Sequence, residues 1–278
     1  MEIINDSLWP ERYPLIALPQ TCDEDCENCQ AFKAGQGCLR QKRLDIGPLA
    51  YDKEFLSNPR SNISSLFPSW LMEQNYDNTA VMVHTYTGNW ETVTGWDIAR
   101  SEKIGADFLV GFTLGYDRRT KIRYLINITQ EKGITFTDQL AMIAEHHVRY
   151  NETYIIIEAD MNQDLWVEQG KKIYPDLPVF SHYTAGAKKD LKNGVPSLLI
   201  PLDRKLYKIP RGDIHSKEMT DIWMGEALSF GWENDKLEGV GEHDDTIIAW
   251  WKAEIGIKKL EGGVITAGRI NMRGGREI

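Results

Sequence analysis

Three apolar-rich stretches follow one another with only short polar breaks between them. They are WETVTGWDIA from Trp90, DFLVGFTLGYD from Asp107 and KIRYLINIT from Lys121. In the third, Ile122, Tyr124, Ile126 and Ile128 recur at every second position, the period of a strand whose two faces differ. Tyr116-Asp117-Arg118-Arg119 supplies a turn between the second and third. Strands joined this closely pair antiparallel, so the three are expected to form a meander. The period then changes. TFTDQLAMIAEHHVRY sets Leu140, Ile143, Ala144 and Val148 on one helical face, with Thr137 as the expected N-cap. YIIIEAD is a short β-branched run of the kind buried on both faces of a sheet. NQDLWVEQGKK reads as a helix and PVFSHYT as a strand. SKEMTDIWMGEALSF reads as a helix with Met219, Ile222, Trp223, Ala227 and Leu228 inward, and DTIIAWWKAEIGI as the last helix.

The order is β-β-β-α-β-α-β, then an irregular segment and two helices. This predicts an α/β protein of ribonuclease H-like type: a mixed sheet, antiparallel in its first three strands, flanked by helices and preceded by an N-terminal arm. No GxGxxG follows a strand and no GxxxxGK[ST] occurs, so the glycine-rich loops that cradle NAD or ATP phosphates are missing. No apolar run is long enough to cross a membrane. The opening MEIINDSLWPERYP lacks the basic start and apolar centre of a secretory signal. The net charge of -9 argues against a general nucleic-acid coat protein, while leaving room for a local basic track.

Three regions are expected. Residues 1–75 form a linker and docking segment, 76–260 the main domain and 261–278 a Gly- and Arg-rich flexible tail. All four cysteines, Cys22, Cys26, Cys29 and Cys38, fall in the first region with the spacing C-x3-C-x2-C-x8-C. Thiolates this close can share one tetrahedral zinc, with Gly35 and Gly37 letting the chain double back. Four reduced thiols in a polar loop is the other reading.

The acidic residues carry the chemistry. Asp97 ends the first strand, Glu158 closes an isoleucine run, and Asp244 and Asp245 open the last helix. A charge at the end of a buried strand is costly without a partner. Carboxylates on neighbouring elements are what two divalent cations need beside a phosphodiester. Each residue also has a plainer reading, Asp97 as a turn former and the Asp pair as an N-cap. Asp107, Asp117 and Asp160 read as loop or capping residues, His243 as a helper near the site and His215 as a cap or surface residue. Basic residues gather between 188 and 217. Lys188, Lys189, Lys192, Arg204, Lys205, Lys208, Arg211 and Lys217 stand against Asp190, Asp203 and Asp213, eight cations to three carboxylates and a local +5. As a phosphate-contacting track these residues bind DNA without regard to sequence. As a solvated face they bind nothing. LLIPLDRKLYKIP, inside this segment, reads as a β-hairpin.

Together these stretches resemble the nuclease part of the large subunit of tailed-phage terminases. LWPERYPL, the GPLAY-to-NP segment and LFP are similar to the stretch that links its ATPase to its nuclease. GWDIARSEKIGADF, IIIEADMNQ, AGAKKDLK and GEHDDTIIAWW resemble the nuclease motifs in order. The resemblance implies metal-dependent endonucleolytic cutting of double-stranded DNA during viral genome packaging, with two Mg²⁺ or Mn²⁺ per site, in the cytoplasm of an infected host. Asp97 then matches the first ligand, Glu158 the second and one of Asp244 and Asp245 the third. Lys188 and Lys189 match a basic segment near the DNA. The small terminase subunit and the portal become expected partners. The phosphate-binding loop of the packaging ATPase is missing from the sequence, which implies a separate or missing ATPase. A junction resolvase on the same fold, and a non-catalytic assembly module, are the competing expectations.

Overall fold

The stretch Glu91–Asp97 is buried along its whole interior, threonines as well as apolar residues. A central strand covered on both faces has no solvent side to favour alternation. The computed structural model, which describes residues 45, 65–98, 108–159, 170–183, 187–233, 236–239 and 244–262, puts it in that position. In chain order the elements begin with α1 (Ser69–Glu73), β1 (Tyr76–Asp77), β2 (Glu91–Asp97), β3 (Phe108–Tyr116) and β4 (Arg123–Lys132). Helix α2 (Phe136–Tyr150), β5 (Tyr154–Ala159), β6 (Val179–Tyr183), α3 (Leu199–Asp203) and β7 (Tyr207–Pro210) follow. The last are α4 (Ile214–Ser229), β8 (Phe230–Glu233), β9 (Lys236–Gly239) and α5 (Asp245–Leu260).

The meander forms as expected, β2 with β3 and β3 with β4, both antiparallel. β5 joins parallel to β2 and β6 parallel to β5. On the other side β7 lies parallel to β4, and β1 parallel to β7. The seven-stranded sheet therefore runs β1-β7-β4-β3-β2-β5-β6, with β8 and β9 as a separate ribbon. This is the mixed ribonuclease H-like sheet flanked by helices that the sequence pattern predicts.

Each face of the sheet has its own core. Leu140 and Ile143 of α2 pack on Trp96, Leu109, Ile155 and Ile157. On the other face α4 and α5 bring Trp223, Trp250 and Trp251 onto Val93, Phe112 and Ile156. Fourteen of the sixteen residues of α5 are buried, so this helix is covered on nearly every side. The sheet lies under it, and α4 with the turn Val195–Leu198 lies over it. Two glycines set how close it comes. A Cβ on Gly95 would stand 2.1 Å from the Ala249 carbonyl oxygen, and one on Gly256 would stand 2.2 Å from Val93 Cγ1. Gly262, at φ 85°, ends the helix in the left-handed conformation that glycine adopts without strain.

Several local expectations are corrected. Helix α2 begins earlier than predicted: Thr135, not Thr137, is its N-cap, accepting the Asp138 amide at 3.2 Å. Val148 of α2 is 84 % exposed, and Ile222 and Leu228 of α4 are 45 % and 44 % exposed, because each helix packs through a narrower stripe than its apolar residues suggest. The segment from Leu199 to Pro210 is no hairpin. Leu198, Leu199 and Leu202 bury together at helical spacing, Lys205 turns the chain at φ 55°, and β7 then finds a parallel partner in β4. Leu66, Phe67, Leu71 and Met72, anticipated as part of an arm, pack into the main core. Asn75 ties them to β7, donating to the Leu202 carbonyl and accepting the Tyr207 amide. Cys22, Cys26, Cys29 and Cys38 lie outside the described residues, as do Asp107, Asp160, His243 and residues 263–278. Among the described residues no helix is long and apolar enough to cross a membrane.

Candidate metal centre

β2 and β5 run parallel with Trp96 opposite Ile157. One residue further on each strand stand Asp97 and Glu158, so the register brings the two predicted acidic positions to one end of the sheet. Glu158 is placed by its backbone, in register with His182 of β6. The start of α5 arrives at the same end. There Asp245 is 8 % exposed and its Oδ2 accepts the amide of Phe108, the first residue of β3, at 3.4 Å.

Asp244 occupies the N-cap position of α5, yet its side chain makes no capping hydrogen bond. An N-cap carboxylate ordinarily accepts an amide of the first turn. Here Glu226 of α4 supplies that acceptor from outside the helix. Its Oε2 takes the Thr246 amide and its Oε1 the Thr246 hydroxyl, each at 2.9 Å. Gln130 of β4 donates to the same hydroxyl at 2.9 Å. Asp244 is thus relieved of the work that Asp usually does at a helix start. Its carboxyl is pushed above the usual range, first by burial and then by the charge of Asp97, while Lys188, the Gly239 amide and Lys252 pull the other way. Two carboxylates from separate elements therefore share one partly desolvated environment, with two lysines close by.

Lys252 reaches this site across β2. Its own Cβ would be 2.7 Å from a Cβ on Gly95, so the missing side chain at Gly95 leaves the path its stem follows. Asp97 is two residues beyond Gly95 and on the same strand face. Lys252 Nζ donates to Asp97 Oδ1 at 2.5 Å; the lysine side chain is 0 % exposed and the aspartate 17 %. Sequence reasoning missed both Lys252 and Glu226. The signal for Lys252 was a single ammonium in the apolar run AWWKAEIG, because lysine is almost never fully buried without a partner. Nothing local marked Glu226, whose role depends on how α4 crosses α5.

The predicted basic residues separate in the fold. Lys188 lies in the 3₁₀ turn Ala187–Lys189, within electrostatic reach of Asp244. Lys189 is exposed beside it. Lys192 and Arg204 line a pocket of about 320 Å³ with Lys121 and Lys258, near the opposite end of α5. Lys205 is exposed in its left-handed turn, and Lys208 is half-buried in β7. Arg211 is engaged inside the domain, donating to Asp221 and to the Thr220 hydroxyl and lying over the Tyr76 ring. His215 is exposed and lies beside His84, with the two rings tilted and their centroids 5.7 Å apart.

Among the described residues no group of three or more His, Cys, Asp and Glu side chains converges on one point. The described part of the centre is Asp97 and Asp244 with Lys188 and Lys252. Its donors are carboxylate oxygens, the hard donors that suit Mg²⁺ or Mn²⁺. An uncapped, partly buried carboxylate beside a second one fits a site built for a cation.

The fold is of the ribonuclease H-like type, a mixed seven-stranded sheet flanked by helices. Among solved structures it is similar to the large terminase nuclease from thermophilic phage G20c with bound magnesium, at 16% identity and a TM-score of 0.52, covering 69% of this chain and 96% of that one. The P22 large terminase nuclease domain aligns at 12% identity and a TM-score of 0.46, covering 67% of this chain and 89% of that one. The fowlpox virus Holliday junction resolvase aligns at 14% identity and a TM-score of 0.35, covering 61% of this chain and 98% of that one. No family model matches the sequence, and no curated protein matches it.

Proposed function

We propose that this chain is a divalent-metal-dependent endonuclease for double-stranded DNA, the cutting part of a viral packaging terminase. The observation that carries the proposal is the shared environment of Asp97 at a strand end and Asp244 at a helix start, within a fold like that of a nuclease solved with magnesium. In this reading Glu158 completes the set. It stands one residue beyond Ile157 on β5, as Asp97 stands one residue beyond its register partner Trp96 on β2. Mg²⁺ or Mn²⁺, held as a pair by Asp97, Glu158 and the Asp244–Asp245 start of α5, would neutralise phosphate charge and activate the attacking water.

The chain's own residues prepare that chemistry. Glu226 caps α5 and leaves the Asp244 carboxylate for the cation. Asp244 interacts with the charge of Asp97 and accepts the Gly239 amide, and Asp245 accepts the Phe108 amide of β3. Lys188, beside Asp244, offers a positive charge to the DNA backbone, and such a contact is independent of sequence and weakened by salt. A packaging ATPase, the small terminase subunit and a portal are the partners of this role, in the cytoplasm of an infected host.

Plasmid cleavage in Mn²⁺ tests the assignment. Asp97→Ala, Glu158→Ala and Asp244→Asn are each expected to lower the rate about a hundredfold or more, with Asp245→Asn lowering it less, since removing a group that stabilises the transition state costs on that scale. Cutting that is unchanged in Asp97→Ala would end the proposal. A larger loss from Asp245→Asn than from Asp244→Asn would exchange the roles of the two.

A further inference from the structure

Lys252 is an ammonium with no exposed surface in a helix that is otherwise almost wholly apolar where it crosses the sheet. Replacing a buried ion pair by apolar side chains of similar size is often neutral or stabilising. Yet the architecture makes room for this one: Gly95 has no side chain where the lysine stem passes, and the stem ends 2.5 Å from Asp97. Asp244, whose charge interacts with both Asp97 and Lys252, stands nearby. A cation is thus built into the place where the metal reading puts divalent ions.

We propose that Lys252 is a positioning residue of the metal centre, holding Asp97 in one orientation and supplying a resident positive charge that limits how tightly the carboxylates take a divalent cation. This rests on the nuclease reading above. Two physical consequences follow. The ammonium fixes Asp97 Oδ1, so the carboxylate is oriented before any metal arrives. It also repels a divalent ion held by the same carboxylate, so the centre binds metal more weakly than its acidic residues alone would allow. The site then fills at the free Mg²⁺ concentrations that accompany DNA and ATP, and does not scavenge scarcer, tighter-binding ions.

The test uses the full chain and Mn²⁺ alone as the probe. Calorimetry or the paramagnetic signal of free Mn²⁺ gives the affinity, and plasmid cleavage across a Mn²⁺ series gives the half-saturating concentration and the rate at saturation. Lys252→Met removes the charge and the hydrogen bond while keeping most of the volume. It is expected to tighten Mn²⁺ binding about tenfold or more, from the loss of one close like charge, and to lower the rate at saturating Mn²⁺. Lys252→Gln keeps a hydrogen-bond donor without the charge. It is expected to tighten binding similarly, with a smaller loss of rate than Lys252→Met. A purely structural lysine would lower the melting temperature and the rate without tightening metal binding.

Unchanged or weaker Mn²⁺ affinity in both variants overturns the inference, as does a failure of both to melt cooperatively, which would make Lys252 a folding residue. Wild-type protein separates the two layers. If it binds no Mn²⁺ at millimolar concentration, the nuclease reading itself fails. If it binds Mn²⁺ and Asp97→Ala does not, while both Lys252 variants match wild type, only the role of Lys252 fails.

Discussion

Helix α5 buries two charges two residues apart, Lys252 and Glu254, and they face different surroundings. Glu254 accepts Arg123 Nε at 3.0 Å and Nη2 at 3.3 Å, and also the Tyr207 hydroxyl. Trp250 Nε1 donates to that hydroxyl at 2.7 Å, and Arg123 Nη1 donates to the Lys121 carbonyl at 2.6 Å. Burial works against the charge on Arg123, but the Glu254 carboxylate more than offsets it, so the guanidinium is held above its usual range. This is a closed fork-to-fork pair with its remaining groups satisfied. Lys252 donates to a carboxylate that keeps some solvent access and has a second carboxylate as neighbour. Both groups are charged and buried in the same helix. The difference is whether the partner's bonding capacity is used up, and that separates a structural clamp from a site that can take a ligand.

The comparison breaks first at Glu254. Glu254→Ala strands a buried guanidinium and is expected to cost about 3–5 kcal/mol of stability in urea unfolding, with Mn²⁺ affinity nearly unchanged in whatever remains folded. Lys252→Met, by contrast, is expected to change stability by less than about 2 kcal/mol, since the Asp97 side chain is partly exposed. If the two variants lose equal stability, the distinction between clamp and site is lost.

Glu152 offers a second closed network, on the α2 face. It accepts His146 Nδ1 at 2.6 Å, His147 Nδ1 at 2.9 Å and the Thr94 hydroxyl at 3.0 Å. Burial alone would raise its pKa, but the two histidines hold it down at about 2 against an ordinary 4.5. Because the folded value is depressed, the stability it contributes is present above pH 4.5 and is lost as the pH falls towards 2. Over that window about 3 kcal/mol should disappear, and Glu152→Gln should flatten the loss. An equal acid loss in the Gln variant would show that other groups carry it.

A smaller effect is expected at Gly95, where the close approach of α5 and the path of Lys252 meet. Gly95→Ala inserts a methyl 2.1 Å from the Ala249 carbonyl oxygen and beside the Lys252 stem. Overpacking of this kind typically costs about 1–3 kcal/mol, and here it should also lower metal-dependent cleavage by displacing Lys252 from Asp97. A variant that loses stability and keeps full cleavage would uncouple the helix approach from the site.

Much of this was legible in the chain. The alternation at Ile122–Ile128 and the switch to a helical period after it gave the meander and the crossover, because those signals are local. Asp97, Glu158 and the Asp244–Asp245 pair were readable as acidic ends of elements, and the β2–β5 register puts the first two positions at one end of the sheet. Lys252 was not, because its burial depends on Gly95 in a strand far away in sequence. Thr92 and Thr94 are polar, yet they are buried against Glu152 and the end of α2, contacts that no local pattern marks. The hairpin expected from Leu199 to Pro210 failed for a similar reason: β4 had an open edge that took β7, and no local pattern announces an open edge.

The most direct test of the central claim is a crystal of this protein soaked in Mn²⁺ and measured at the manganese absorption edge. The account predicts anomalous peaks bounded by Asp97, Glu158 and Asp244, with Lys252 Nζ still on Asp97. A fully soaked crystal with no peak within coordination distance of Asp97 would contradict it.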